Sequence, residues 1–68
     1  GENPNYCFYE DGKLRIKTIY AQNDAYVTTL YFDDGYTVIS EYAAGEKIRE
    51  TIKHGDRVLR TKKYDTKN

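Results

Sequence analysis

The chain reads as a small all-β domain, a strongly bent antiparallel sheet of five to six strands. Three observations predict it. Turn signals recur at intervals of roughly ten residues, at Asp11-Gly12, Asn23-Asp24, Asp34-Gly35, Ala44-Gly45 and Gly55-Asp56. The runs between them are rich in β-branched and aromatic residues, which suit a pleated, half-buried surface. Within those runs apolar and polar positions alternate with the period of a strand. Two forms satisfy this pattern: a closed or nearly closed barrel, and an open β-meander.

The elements follow in order. The aromatic run at about 5–9 ends at Asp11-Gly12, where glycine tolerates the positive φ of a tight hairpin turn. Leu14, Ile16, Thr18 and Tyr20 alternate with Arg15, Lys17 and Ile19, which makes about 13–21 the second strand. The third, at about 26–33, sets Tyr26, Thr28, Leu30 and Phe32 against Val27, Thr29 and Tyr31. Both faces of these strands carry apolar residues, so the sheet is expected to curl or to be covered on both sides. About 36–43 lies between two glycine turns and forms the fourth strand. The stretch 43–52 is the one rival for a helix, because Ala, Glu, Lys and Arg favour one. Thr51 with Ile48 and Ile52 favours a fifth strand at about 46–53. The sixth, at about 57–64, carries Arg57, Arg60, Lys62 and Lys63, charges that protect an edge. Residues 65–68 offer nothing to bury and are expected to fray.

Size and composition bound the function. With 68 residues the chain is one small β domain spanning 1–68, or a fragment of something longer. Three Leu, five Ile and three Val are a thin aliphatic supply, so the eight Tyr and two Phe must serve as much of the core. A single cysteine, Cys7, excludes an internal disulfide and a Cys-based zinc site, and the lone His54 excludes a histidine cluster. No metal or cofactor is expected. No apolar run approaches the roughly 20 residues that span a bilayer as a helix, so no membrane partner is expected. The absence of disulfides favours an intracellular reading. Net charge is zero but unevenly spread. From Thr18 to Glu46 there is no Lys or Arg and there are five acids; from Lys47 onward eight basic residues face three acids. An acidic face attracts a basic peptide and a basic segment touches phosphates, or the two are solvated surfaces that complement each other in the fold.

Catalysis finds little support. Cys7 and His54 lack an orienting third group at a recognisable spacing, and Ser40 has no nucleophile elbow around it. The acid pairs Glu10-Asp11 and Asp33-Asp34 are best explained as turn residues. Phosphate-loop, dinucleotide and calcium-loop patterns are absent. The chain is therefore expected not to be an enzyme.

The densest run is Phe32-Asp33-Asp34-Gly35-Tyr36, two aromatics and a carboxylate on one hairpin, a combination that suits a methylated or quaternary ammonium. Phe8-Tyr9-Glu10-Asp11-Gly12 could supply another wall. Phe8 with Glu10-Asp11-Gly12, the alternating strand Leu14 to Ile19, and Leu30-Tyr31-Phe32-Asp33-Asp34-Gly35-Tyr36 together resemble the Tudor family of SH3-like barrels over residues 6–42. The last segment is most similar to the tandem-Tudor checkpoint mediators that read methylated histone lysine. The resemblance implies a five-stranded barrel and a methyl-lysine reader located in the nucleus. It also implies cage walls at Phe8, Phe32 and Tyr36, with Asp34 as ammonium partner. Arg15 stands where a further cage aromatic is expected, and pointing into the pocket it would block a cation.

The expected function is thus a non-catalytic binding module for a cationic, methyl-lysine-bearing peptide. The alternative is an open β-meander used for structure or protein interaction, in a bacterial or secreted protein, with no cage. Bacterial toxin–antitoxin repeat proteins with Tyr-x-x-Gly hairpins are similar in texture. A third reading is nucleic-acid binding through Arg57, Arg60, Lys62 and Lys63, with Tyr64 as a stacking platform, against which the neutral net charge weighs.

Overall fold

The computed structural model describes residues 5–64, and the fraying expected at 65–68 lies outside them. Six strands follow one another: β1 (Asn5–Glu10), β2 (Lys13–Tyr20), β3 (Tyr26–Tyr31), β4 (Tyr36–Ala43), β5 (Glu46–His54) and β6 (Arg57–Lys63). The stretch 46–54 is a strand, as its β-branched residues favour, despite the helix-forming content around it. Each strand pairs antiparallel with the next, in the spatial order β1-β2-β3-β4-β5-β6. The sheet therefore stays open, with β1 and β6 as its two edges; of the two forms the pattern allowed, the chain takes the meander.

The turns explain the register. Asp11 and Gly12 both have positive φ (53° and 76°), as do Ala44 and Gly45 (53° and 80°), the backbone that a two-residue hairpin on twisted strands requires. The β3–β4 turn is longer. Gly35 N–H donates to the Phe32 carbonyl (3.2 Å), and Phe32 N–H donates to the Tyr36 carbonyl (3.0 Å).

Directly paired residues share a face of an antiparallel sheet, so the pairings define two surfaces. One carries the row Phe8, Ile16, Leu30, Val38, Ile52, Arg60 and, beside it, Tyr6, Thr18, Thr28, Ser40, Glu50, Lys62. The other carries Cys7, Lys17, Thr29, Ile39, Thr51 and Thr61, then Asn5, Ile19, Val27, Glu41, Arg49 and Lys63. The first is the aromatic face and the second is richer in Thr and charge. Arg49 makes a bidentate pair with Glu41 on the second face (2.7 and 2.9 Å). These bonds hold the Glu41 carboxyl below its usual range.

The molecule is 16 Å thick across its short axis, room for one sheet and its side chains and no second layer. Burial agrees. Among the described residues no hydrophobic side chain is buried, and the two buried residues are polar, Thr18 and Ser40 in the middle of the aromatic face. Tyr6, Phe8, Tyr9, Ile19, Tyr20, Phe32, Tyr36, Val58 and Leu59 are all exposed.

Three bulges interrupt the ladder: Arg15 is skipped in the pairing with β1, Ile48 in the pairing with β4 and Leu59 in the pairing with β5. Bulges sharpen the local twist and re-aim side chains. The first does so next to the candidate site.

Candidate functional site

An apolar cleft of about 390 Å³ lies on the aromatic face where β1, β2 and β3 approach the 33–35 turn. Phe8, Ile16 and Leu30 share one row across these strands, and Phe32 continues past the end of β3. Together with Tyr31 they line it, with Glu10, Arg15 and Asp33 as the charged rim. Simple alternation would put Arg15 on the opposite face with Lys17. The bulge opposite Phe8 and Tyr9 instead brings it into the cleft beside Ile16.

Arg15 is the electrostatic hinge of this cleft. Its Nη1 donates to Asp33 Oδ1 at 2.7 Å, and its Nε lies 3.6 Å from Glu10 Oε1. Lys13 Nζ adds a second cation 3.6 Å from the same Asp33 oxygen. The hydrogen bond from Arg15, reinforced by its charge, holds the Asp33 carboxyl below the usual range. The same bond raises the Arg15 guanidinium against the desolvation that opposes it. Arg15 Nε is shut off from solvent with no hydrogen-bond partner, so this arrangement leaves one donor unmet.

The four cage candidates divide into two groups. Phe8 and Phe32 line the cleft together; Asp34 and Tyr36 are not part of its lining. Tyr36 pairs with His54 across β4 and β5, and its ring rests on the imidazole with centroids 4.5 Å apart. His54 Nε2 donates to the Asp34 carbonyl oxygen at 2.9 Å, which fixes that turn through its backbone. The carboxylates at the cleft are therefore Glu10 and Asp33, and the cation that contacts both is Arg15.

The other candidates are placed as plainly. Cys7 on β1 and His54 at the end of β5 are separated by three intervening strands. Ser40 is buried in the row between Thr28 and Glu50. Arg57, Arg60, Lys62 and Lys63 lie along β6, exposed at the sheet edge. Lys62 Nζ stands 4.9 Å from the centre of the Tyr64 ring and Lys47 Nζ 5.7 Å from it. Tyr64 Oη donates to Glu50 (3.1 Å), a bond that raises the phenol above its usual range. The Tyr64 ring is thus already engaged by two lysines. Among the described residues there is no cluster of three or more His, Cys, Asp or Glu fit to hold a metal, and no helix able to cross a membrane.

One feature was not read from the sequence. Tyr20, Tyr26 and Tyr42 form a ladder at the end of the sheet away from the cleft, with centroids 5.7 and then 4.4 Å apart. Lys47 extends it, 6.0 Å from the Tyr42 ring. The signal was available: each tyrosine stands at a strand end beside the 21–25 or the 44–45 turn, and only the register aligns them. Compared with family models, with curated proteins and with solved structures, the chain matches none.

Proposed function

We propose that the chain is a non-catalytic protein-interaction module, an open β-meander that receives an apolar side chain of its partner between Phe8 and Phe32. The observation that supports this reading is the exposure of the aromatic face. A one-layer sheet normally covers one face with another element, and here Phe8 and Phe32 border an open cleft of about 390 Å³. That volume is within the lower range of ligand pockets and suits one Leu- or Phe-sized anchor.

The rim adds a preference. Glu10 and Asp33 are both well exposed, and a Lys or Arg flanking the anchor would compete with Lys13 for Asp33. A peptide with a large apolar residue next to a basic one is therefore the expected ligand. Burying one such side chain contributes about 1.5–3 kcal/mol. A millimolar complex already needs about 4 kcal/mol. One module thus binds weakly, and useful affinity comes from a longer contact or from several modules.

An NMR titration tests the reading. Peptides pairing Leu or Phe with Lys should shift the amides of Phe8, Leu30 and Phe32, and Phe32→Ala should abolish the response. Tyr36→Ala should preserve it. A panel of lysine methylation states tests the methyl-lysine alternative, which requires Arg15 to leave the cleft: preference for the methylated peptide, with Asp33 perturbed, would favour the cage. No shift near residues 8, 30 and 32 with any peptide would remove the cleft from consideration.

A further inference from the structure

The two edges of the sheet differ in a way that suits them to each other. β1, Asn5-Tyr6-Cys7-Phe8-Tyr9-Glu10, contains no basic residue, and the acids Glu10 and Asp11 stand at its end. β6, Arg57-Val58-Leu59-Arg60-Thr61-Lys62-Lys63, contains four cations and no acid. Both are exposed along their whole length. We infer that β6 of one chain accepts β1 of a second copy, continuing the sheet from molecule to molecule.

Topology permits it without a new fold. Six strands alternate in direction, so β1 and β6 run oppositely. A copy shifted sideways along the sheet places its β1 antiparallel to β6, and the next copy repeats the step. Such a head-to-tail contact is open-ended. The charges fall in place as well. Glu10 and Arg57 both lie at the end of the sheet that holds the 11–12, 33–35 and 55–56 turns, where Gly55 N–H bonds the Gly35 carbonyl at 3.1 Å. The shifted copy therefore brings Glu10 beside Arg57. The register that keeps the aromatic faces continuous sets Phe8 opposite Arg60 and Tyr6 opposite Lys62, cations against rings. Within one chain Lys62 already stands 4.9 Å from the centre of the Tyr64 ring.

The alternatives fare worse. Two β6 edges would align two sets of four cations, and like charges opposed across strands destabilise pairing. Lysines on an edge commonly discourage pairing in general, but here they discriminate, since β1 brings an acid, aromatics and no cation. The backbone is available too. Tyr64 N–H donates inward to the Ile48 carbonyl at 3.0 Å. Antiparallel alternation then directs Lys62 and Arg60 inward as well, and aims the N–H and C=O of Thr61 and Lys63 at the free edge.

Sedimentation velocity over a concentration series tests the inference, from about 10 μM to about 1 mM, the range of weak to moderate association. The expected result is mass that grows past the dimer as concentration rises and falls when salt is raised, as screened charges require. Thr61→Pro removes only an outward N–H, so circular dichroism should be unchanged while the association midpoint rises about tenfold or more. Arg57→Glu should weaken association, as should Glu10→Arg. A mixture of these two variants should restore open-ended growth as an alternating assembly, because each variant's β6 then meets an oppositely charged β1, while neither variant grows alone. This assay is independent of the cleft, because Phe32→Ala should associate like the unaltered chain. A monomer at every concentration, or a Thr61→Pro chain that is folded and associates normally, would overturn the inference. So would a dimer that persists in Arg57→Glu, which would assign the contact to two β1 edges.

Discussion

The β4–β5 turn contains a residue that its backbone does not suit, and replacing it should stabilise the sheet. Ala43 pairs with Glu46, so Ala44 and Gly45 form a two-residue loop with φ of 53° and 80°. The left-handed region costs a residue with a Cβ roughly 1–2 kcal/mol, and Asn enters it far more easily, which is why Asn-Gly is the preferred pair in such turns. Ala44 is exposed, so no packing is lost on substitution. Ala44→Asn should therefore stabilise by about 1 kcal/mol. Ala44→Gly should gain about half of that, because glycine also loses more chain entropy, about 0.5–1 kcal/mol. Ala44→Val, β-branched at positive φ, should destabilise by about 1 kcal/mol or more.

The assay is urea unfolding with an unchanged denaturant slope, or thermal melting, where 1 kcal/mol moves Tm by about 4–8 °C in a domain of this size. The chain carries its own control. Asp11 and Gly12 form the equivalent loop, with φ of 53° and 76°, and already use the favourable pairing. Asp11→Ala should consequently lose about what Ala44→Asn gains, since it recreates the Ala-Gly loop. If Ala44→Asn leaves stability unchanged and Ala44→Val costs nothing, the turn is not left-handed in solution. The register of β5 and β6 would then need another explanation.

Three further outcomes follow from the pairing. Tyr26→Ala removes the centre of the tyrosine ladder, two ring contacts at 5.7 and 4.4 Å, and should cost about 1–3 kcal/mol in urea unfolding at roughly 0.5–1.5 kcal/mol per aromatic pair. Thr18 and Thr28 share a hydroxyl hydrogen bond at 3.2 Å, with Thr18 buried. Thr18→Val alone should cost about 1 kcal/mol, while the Thr18→Val, Thr28→Val pair should be nearly neutral because neither hydroxyl is left unmet. Acid should destabilise the fold. Asp33 and Glu41 have carboxyls held below their ordinary range by Arg15 and Arg49, so their contribution is present above about pH 4–5 and lost as pH falls through the depressed values. Unfolding at neutral pH, near pH 4 and near pH 2.5 should show the decline, small because Asp33 is exposed and Glu41 only half-buried, and Arg49→Gln should remove only the part due to Glu41.

What the sequence made legible is what short segments decide. Asp11-Gly12 favours a left-handed two-residue turn, Gly45 admits the same backbone at the second turn, and the β-branched runs between turns admit little but strand. The strands accordingly begin and end within a residue or two of where alternation puts them. Closure was not legible. Whether β1 meets β6 depends on twist accumulated over the whole sheet and on three bulges, and nothing in the local pattern marks Arg15, Ile48 or Leu59 as the extra residues. The candidate site inherits that gap. One unpaired residue brings Arg15 onto the face with Phe8 and Phe32. The Tyr36–His54 pairing, set by the β4–β5 turn, takes Tyr36 to a different neighbour.

Sparse aliphatics connect these observations. Eleven Leu, Ile and Val in 68 residues are a thin supply for a closed interior, and the middle of its better face is polar, at Thr18 and Ser40. An open layer asks less of the core, because cross-strand pairs of about 0.2–1 kcal/mol each replace a packed centre. It leaves both the cleft and the edges unmet. A partner that fills the cleft, or a neighbour that extends the sheet, therefore adds stability to the fold as well as forming a complex. By mass action, a ligand at a hundred times its Kd should raise stability by about 2.7 kcal/mol, so the melting temperature should climb with protein concentration if the edges pair. The same dependence should vanish in Thr61→Pro, while peptide added to that variant should still raise its melting temperature through the cleft.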